Sequence, residues 1–165
     1  MTTLANEMAS NPIDTSMETP QGKLLGETAG PDNEIRAFKG IPYALPPVGN
    51  RRWAPPEPSL PWTGTRLAKA YSPQAMQATI PEAFGLPLGQ TSEDCLYLNV
   101  WTPAKESPAH WGEEPSAGSA KKPEEQRPVM VWIHGGARRW GSGELNAVPL
   151  TRKGVVVVSM NYRHG

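Results

Sequence analysis

Pro128-Val129-Met130-Val131-Trp132-Ile133-His134-Gly135-Gly136-Ala137 is the stretch on which the reading of this sequence turns. From Val129 to His134 the chain runs without a charge into a pair of glycines. A continuous apolar run bounded by Pro and Gly fits a strand buried on both faces. Glycines let the backbone turn sharply and bring its N–H groups close to a ligand. At the end of a central strand, such a loop suits an oxyanion hole, where amides aim at developing negative charge. The plainer reading of Gly135-Gly136 is a tight turn, and this stretch taken alone leaves both open.

Composition narrows the class of protein. At 165 residues the chain has one domain's worth of core to bury. Its 16 basic and 16 acidic residues cancel, so nothing favours nucleic acid or an anionic membrane as partner. With 19 Pro and 16 Gly, many turns and few long helices are expected. Cys95 is the single cysteine, which excludes an intramolecular disulfide. The N-terminus shows no basic stretch leading into an apolar one, and no apolar run approaches a membrane span. A soluble cytoplasmic chain is expected, and residue spacing supports neither a cofactor nor a metal.

In chain order, residues 1–18 are polar and aperiodic and read as a disordered leader. A short strand over residues 21–28, a turn at Gly30-Pro31-Asp32-Asn33 and a second strand from Ile35 to Gly40 make a hairpin. The run from Phe38 to Trp53 carries too much Pro and Gly for a helix or a central strand, yet its aromatic and apolar content demands packing. Alternation of Leu96, Leu98 and Val100 with Tyr97, Asn99 and Trp101 describes another strand. Residues 105–127 read as a polar loop of mixed charge. One or two helical turns fit residues 145–153, and Val155-Val156-Val157-Val158-Ser159-Met160 closes the chain as a last strand.

Four of these segments carry a resemblance. Gly40-Ile41-Pro42-Tyr43-Ala44-Leu45-Pro46-Pro47-Val48-Gly49-Asn50-Arg51-Arg52-Trp53, then Ser92-Glu93-Asp94-Cys95-Leu96-Tyr97-Leu98-Asn99-Val100-Trp101, then the opening stretch and the Asn161-Tyr162-Arg163 element resemble type-B carboxylesterases. That is the α/β-hydrolase family of cholinesterases and bacterial para-nitrobenzyl esterases. The resemblance spans residues 19–165, roughly the first third of the family's length. It implies a loop-rich α/β chain with a partial α/β-hydrolase fold, namely an N-terminal β-hairpin plus the first strands of the central sheet.

The resemblance also implies particular roles. Gly136 and Ala137 match the backbone donors of the oxyanion hole. Glu93 matches an acid that pairs with the arginine matching Arg52, the plain alternative being two solvated charges. Ala75 stands where secreted relatives carry a cysteine, so Cys95 is read as a free, buried thiol of structural role. Arg138 stands where relatives carry an aromatic residue, which bears on substrate preference. His134 and His164 belong to no catalytic motif and read as packed or solvent-facing imidazoles, and Ser142 and Ser159 read as loop and strand residues.

Ester hydrolysis in this family needs a serine on a Gly-x-Ser-x-Gly elbow, followed by an acid and a histidine. No serine in these 165 residues has glycines at that spacing. The implied activity is therefore that of a larger serine esterase acting on small-molecule esters, with this chain inactive alone. A non-catalytic binding module, or half of an enzyme completed by a second chain that supplies the triad, are the competing readings. The final strand, with nothing after it, is expected to leave an apolar sheet edge open.

Overall fold

The computed structural model describes residues 13–77, 89–104 and 127–164. Its main sheet is built from β3 (Glu27–Ala29), β4 (Ile35–Pro42), β8 (Tyr97–Pro103), β9 (Val129–Ile133) and β10 (Val156–Met160). Their spatial order is β3-β4-β8-β10-β9, antiparallel except for the parallel pair β10-β9. Parallel neighbours need a long crossover, and here it runs through the loop after β9 and the one-turn helix α1 (Val148–Thr151). A second sheet joins β1 (Ser16–Thr19), β2 (Gly22–Leu25) and β5 (Thr65–Leu67). The short strands β6 (Gln74–Ala75) and β7 (Thr91–Ser92) pair with each other.

Side-chain alternation divides the core between the two faces of the main sheet. On one face Ile35, Ala37, Trp101, Val157 and Ala147 pack together, with Leu145 and Val148 against them. On the other, Phe38 joins Leu24 and Ala68 beneath the second sheet, with Val100 and Met17 partly buried beside them. Adjacent residues Ala37 and Phe38, like Val100 and Trp101, thus serve opposite cores, as a pleated strand requires. A third cluster gathers Ala44, Ala75, Cys95 and Leu96. Ala75 and Cys95 therefore share one buried site, and Cys95 is a free thiol. Burial is the main cause that pushes this thiol up to about 11, which leaves it protonated and inert near neutrality.

The hairpin read from residues 21–40 is present only in part: the strand expected over residues 21–28 breaks at Gly26 into β2, which joins the second sheet, and β3, which alone pairs with β4. Its turn holds Asn33 at φ 54°, with the Asn33 N–H donating to the Gly30 carbonyl. Four further expectations need correction. β1 begins at Ser16, inside the stretch 1–18 read as a leader, because Met17 has a core to enter; residues 1–12 lie outside the described residues. β4 runs through Gly40 to Pro42, where the Pro and Gly content argued against a central strand. A bulge between Phe38 and Ile41 absorbs the misfit, with Gly40 at φ 67° donating its N–H to Asn99 Oδ1 at 3.0 Å instead of to the ladder. β3 pairs only as far as Ala37, so Pro42 sits where its missing N–H costs no strand-to-strand bond on that side.

The remaining corrections concern the apolar strands themselves. β9 is not buried on both faces: it is an edge strand, with Val129 61%, Val131 55% and Ile133 66% exposed. β10, expected to stand at an open edge, lies between β8 and β9. An apolar run states that burial is wanted but not where in the sheet it is met. The open apolar edge exists, and it belongs to β9. The polar loop read over residues 105–127 lies outside the described residues except for Arg127. No helix among the described residues is long and apolar enough to cross a membrane.

Candidate active site

The loop that leaves β9 is a tight reversal. Gly136, Ala137 and Arg138 have φ of 117°, 52° and 61° in succession. The N–H groups of Arg139 and Trp140 both donate to the Gly136 carbonyl, at 2.9 and 3.2 Å. Two central residues at positive φ make this a mirror-image turn, a geometry that normally selects Gly or Asn. Ala137 and Arg138 each hold it at a cost of about 1–2 kcal/mol. Backbone strain of this kind persists where the surroundings over-determine it. Gly136 is itself irreplaceable, since a Cβ there would fall on the Trp140 carbonyl oxygen. Ala137 and Arg138 are exposed, and among the described residues no group accepts a hydrogen bond from the Gly136 or Ala137 N–H.

What over-determines the turn is the element that follows β10. Tyr162 stacks on His134 with ring centroids 4.2 Å apart, and its hydroxyl donates to the His134 carbonyl at 2.6 Å. His164 meets the edges of both rings at 5.5 Å. Asn161 Oδ1 accepts from the Gly143 N–H at 2.6 Å, while its Nδ2 donates to Ser72 Oγ and the Pro73 carbonyl. The Gly143 carbonyl in turn accepts from Ser159 Oγ and from Asn99 Nδ2. At the far end of the loop, Gln77 grips Gly141 twice: its Oε1 accepts from the Gly141 N–H at 2.8 Å and its Nε2 donates to the Gly141 carbonyl at 3.1 Å.

For none of these groups, Gln77, Asn99, Ser159, Asn161 and Tyr162, did the sequence reading give the role of holding this loop, although Asn161 and Tyr162 stood in a quoted motif and Ser159 was read as a strand residue. A signal did exist for three of them. Asn99, Ser159 and Asn161 interrupt or end apolar strands, and a polar residue there must find partners once buried. Their partners are loop carbonyls and amides far along the chain, which no local pattern encodes.

The residues that were singled out fall in two places. Gly136 and Ala137 lie in the turn, Gly136 half-buried and Ala137 exposed. Arg52 Nε lies 2.8 Å from Glu93 Oε1, with side chains 59% and 36% exposed. At that exposure the pair is worth only about 0–1 kcal/mol. Arg52, Glu93 and Cys95 line a cavity of about 550 Å³ that also touches Arg139 and His164. Arg138, flagged from sequence, does not line it; Arg139 does.

His134 is buried, with Nδ1 against the Gly135 carbonyl at 2.8 Å. Burial holds its pKa below the usual 6.5, a shift that the Gly135 contact partly opposes. His164 is lowered by burial and then by His134, against the Arg139 backbone contact. Both rings are therefore neutral at pH 7. Because the folded values lie below the unfolded one, the stability tied to this neutral pair is complete above pH 6.5 and is lost as pH falls through the depressed folded values. Urea unfolding midpoints measured from about pH 8 to about pH 5 are expected to fall across that window, and His164→Leu should flatten the decline. A midpoint equally pH-dependent in that variant would contradict the assignment.

The family model described as the carboxylesterase family matches residues 13–165. The chain is 36% identical over 170 residues to the fumonisin B1 esterase of Sphingopyxis macrogoltabida, an alignment covering 96% of this chain and 28% of that protein. It is 34% identical over 177 residues to the liver carboxylesterase of Sus scrofa, covering 99% and 28%. Among solved structures, the carboxylesterase EST55 of Geobacillus stearothermophilus superposes with a TM-score of 0.69 at 39% identity, covering 92% of this chain and 27% of its own. A PNB esterase superposes at 0.70 and 36% identity, covering 92% and 28%. The chain thus spans little more than a quarter of the length of the relatives it matches.

Proposed function

Because the chain belongs to the carboxylesterase family, we propose that it is the N-terminal part of a serine esterase that cleaves carboxylic esters through an acyl-enzyme. Its own contribution is the oxyanion hole, made by the backbone N–H groups of Gly136 and Ala137. The observation that carries this reading is the strained turn after β9, whose two amides have no acceptor among the described residues. A donor pair held rigidly and left unpaired costs nothing to reorganise when an oxyanion forms, and losing one such donor typically removes about 3–4 kcal/mol of transition-state stabilisation. His134 and Tyr162 position the turn from below and take no part in proton transfer. The serine, acid and base come from outside these 165 residues, since no Gly-x-Ser-x-Gly elbow occurs within them.

Amide donors without a nucleophile cannot turn over substrate. The 165-residue chain alone is therefore expected to leave para-nitrophenyl acetate untouched, and a protein extended through the elbow and triad should hydrolyse it until blocked by a serine-directed phosphonate. Phosphonate-sensitive hydrolysis by the chain alone would overturn this reading. The exposed apolar edge of β9 favours a second version, in which a separate polypeptide pairs with that edge and brings the triad. A non-catalytic binding module would show no hydrolysis in any form.

A further inference from the structure

The cavity beside the loop has a chemical character that ester cleavage alone does not require. Three arginines line it, Arg52, Arg139 and Arg163, against a single acidic residue, Glu93. Glu93 is already engaged by Arg52, whose guanidinium also lies 5.6 Å from the centre of the Trp53 ring. Among the described residues, neither Arg139 nor Arg163 pairs with a carboxylate. Arg163 is instead held in place by backbone carbonyls, its Nη1 donating to those of Arg52 and Ala54, each at 2.9 Å. That bonding fixes its direction without neutralising its charge. Arg139 belongs to both sites: its N–H closes the turn on the Gly136 carbonyl, and the residue lines the cavity.

We propose that this cavity is an anion-accepting subsite that takes the free carboxylate of an ester bearing a second carboxyl group, such as a half-ester of a short dicarboxylic acid. About 550 Å³ is the size of a small-molecule site. Arginine suits the task because its planar fork meets a carboxylate with two parallel hydrogen bonds. Trp53 and Met76 on the cavity wall offer apolar cover for a short methylene chain. The choice of substrate rests on the esterase reading above, whereas anion binding by the cavity does not.

The experiment uses the full-length protein and reads binding apart from turnover. Glutarate is titrated against tryptophan fluorescence, with its neutral diamide as the control and the titration repeated at raised ionic strength. Saturable glutarate binding is expected, weakened by salt, absent for the diamide, and about ten-fold weaker in Arg139→Gln. Arg139 is exposed, so an unchanged melting temperature will show that the variant is folded. The ratio of kcat/KM for monomethyl glutarate to that for methyl pentanoate should fall in the same variant by a similar factor. Equal binding of acid and diamide, no saturable binding, or an affinity indifferent to Arg139→Gln would each overturn the subsite. A protein that binds glutarate yet cleaves neither ester would instead overturn the esterase reading and leave the anion site standing.

Discussion

Gly136→Ala is expected to lower kcat for ester hydrolysis in the full-length protein by about 10²–10³-fold. The residue sits at φ 117°, where side chains are strained whatever the space around them. Here there is no space either, because the added carbon would land on the Trp140 carbonyl oxygen. The turn must open to admit it. Opening moves the amides of Gly136 and Ala137 together, which no substitution at a single side chain would otherwise achieve. Ala137→Gly is the matched comparison: it keeps both N–H groups and relieves a residue at φ 52°, so kcat should stay within a few-fold. A Gly136→Ala protein with unaltered kcat would place the donors elsewhere. A variant whose melting temperature collapses with its rate would show a fold defect, so both are measured on the same preparation.

The reasons why some features were legible in the sequence and others were not are physical. The strands at Val129–Ile133 and Val156–Met160 announce themselves, because a run of branched apolar residues has no other stable use. Their order in the sheet does not, since apolarity is the same at an edge and in the centre. The turn at Gly136 was legible through its glycines, and the partial α/β-hydrolase fold through four motifs in sequence order. Pro42 misled because the rule against proline in central strands assumes a strand with neighbours along its whole length. β4 loses β3 after Ala37, and the rule lapses there. Arg138 drew notice for standing in an aromatic position, yet positive φ at three successive residues turns the chain so that Arg139 reaches the cavity. A one-residue offset of that kind depends on the backbone path, which no list of residues contains.

The largest stability effect is expected at a residue that composition would pass over. Asn161 is 5% exposed and spends its amide on three partners: it accepts from the Gly143 N–H and donates to Ser72 Oγ and the Pro73 carbonyl. Asn161→Ala leaves the Gly143 N–H buried and unpaired, and orphaning a buried group costs about 1–3 kcal/mol before the other two bonds are counted. A total loss of about 3 kcal/mol is expected, which in a domain of this size lowers Tm by about 6–12 °C. Arg52→Ala should cost no more than about 1 kcal/mol, although its pair with Glu93 is the more conspicuous contact. Ser159→Ala removes the donor to the carbonyl of that same Gly143. Asn161 and Ser159 therefore hold opposite ends of one residue, and their losses should not add: a double-mutant cycle is expected to show coupling of about 0.5–3 kcal/mol. Strict additivity, or an Asn161→Ala cost below about 1 kcal/mol, would mean that the loop beneath the Gly136 turn is held by something other than this network.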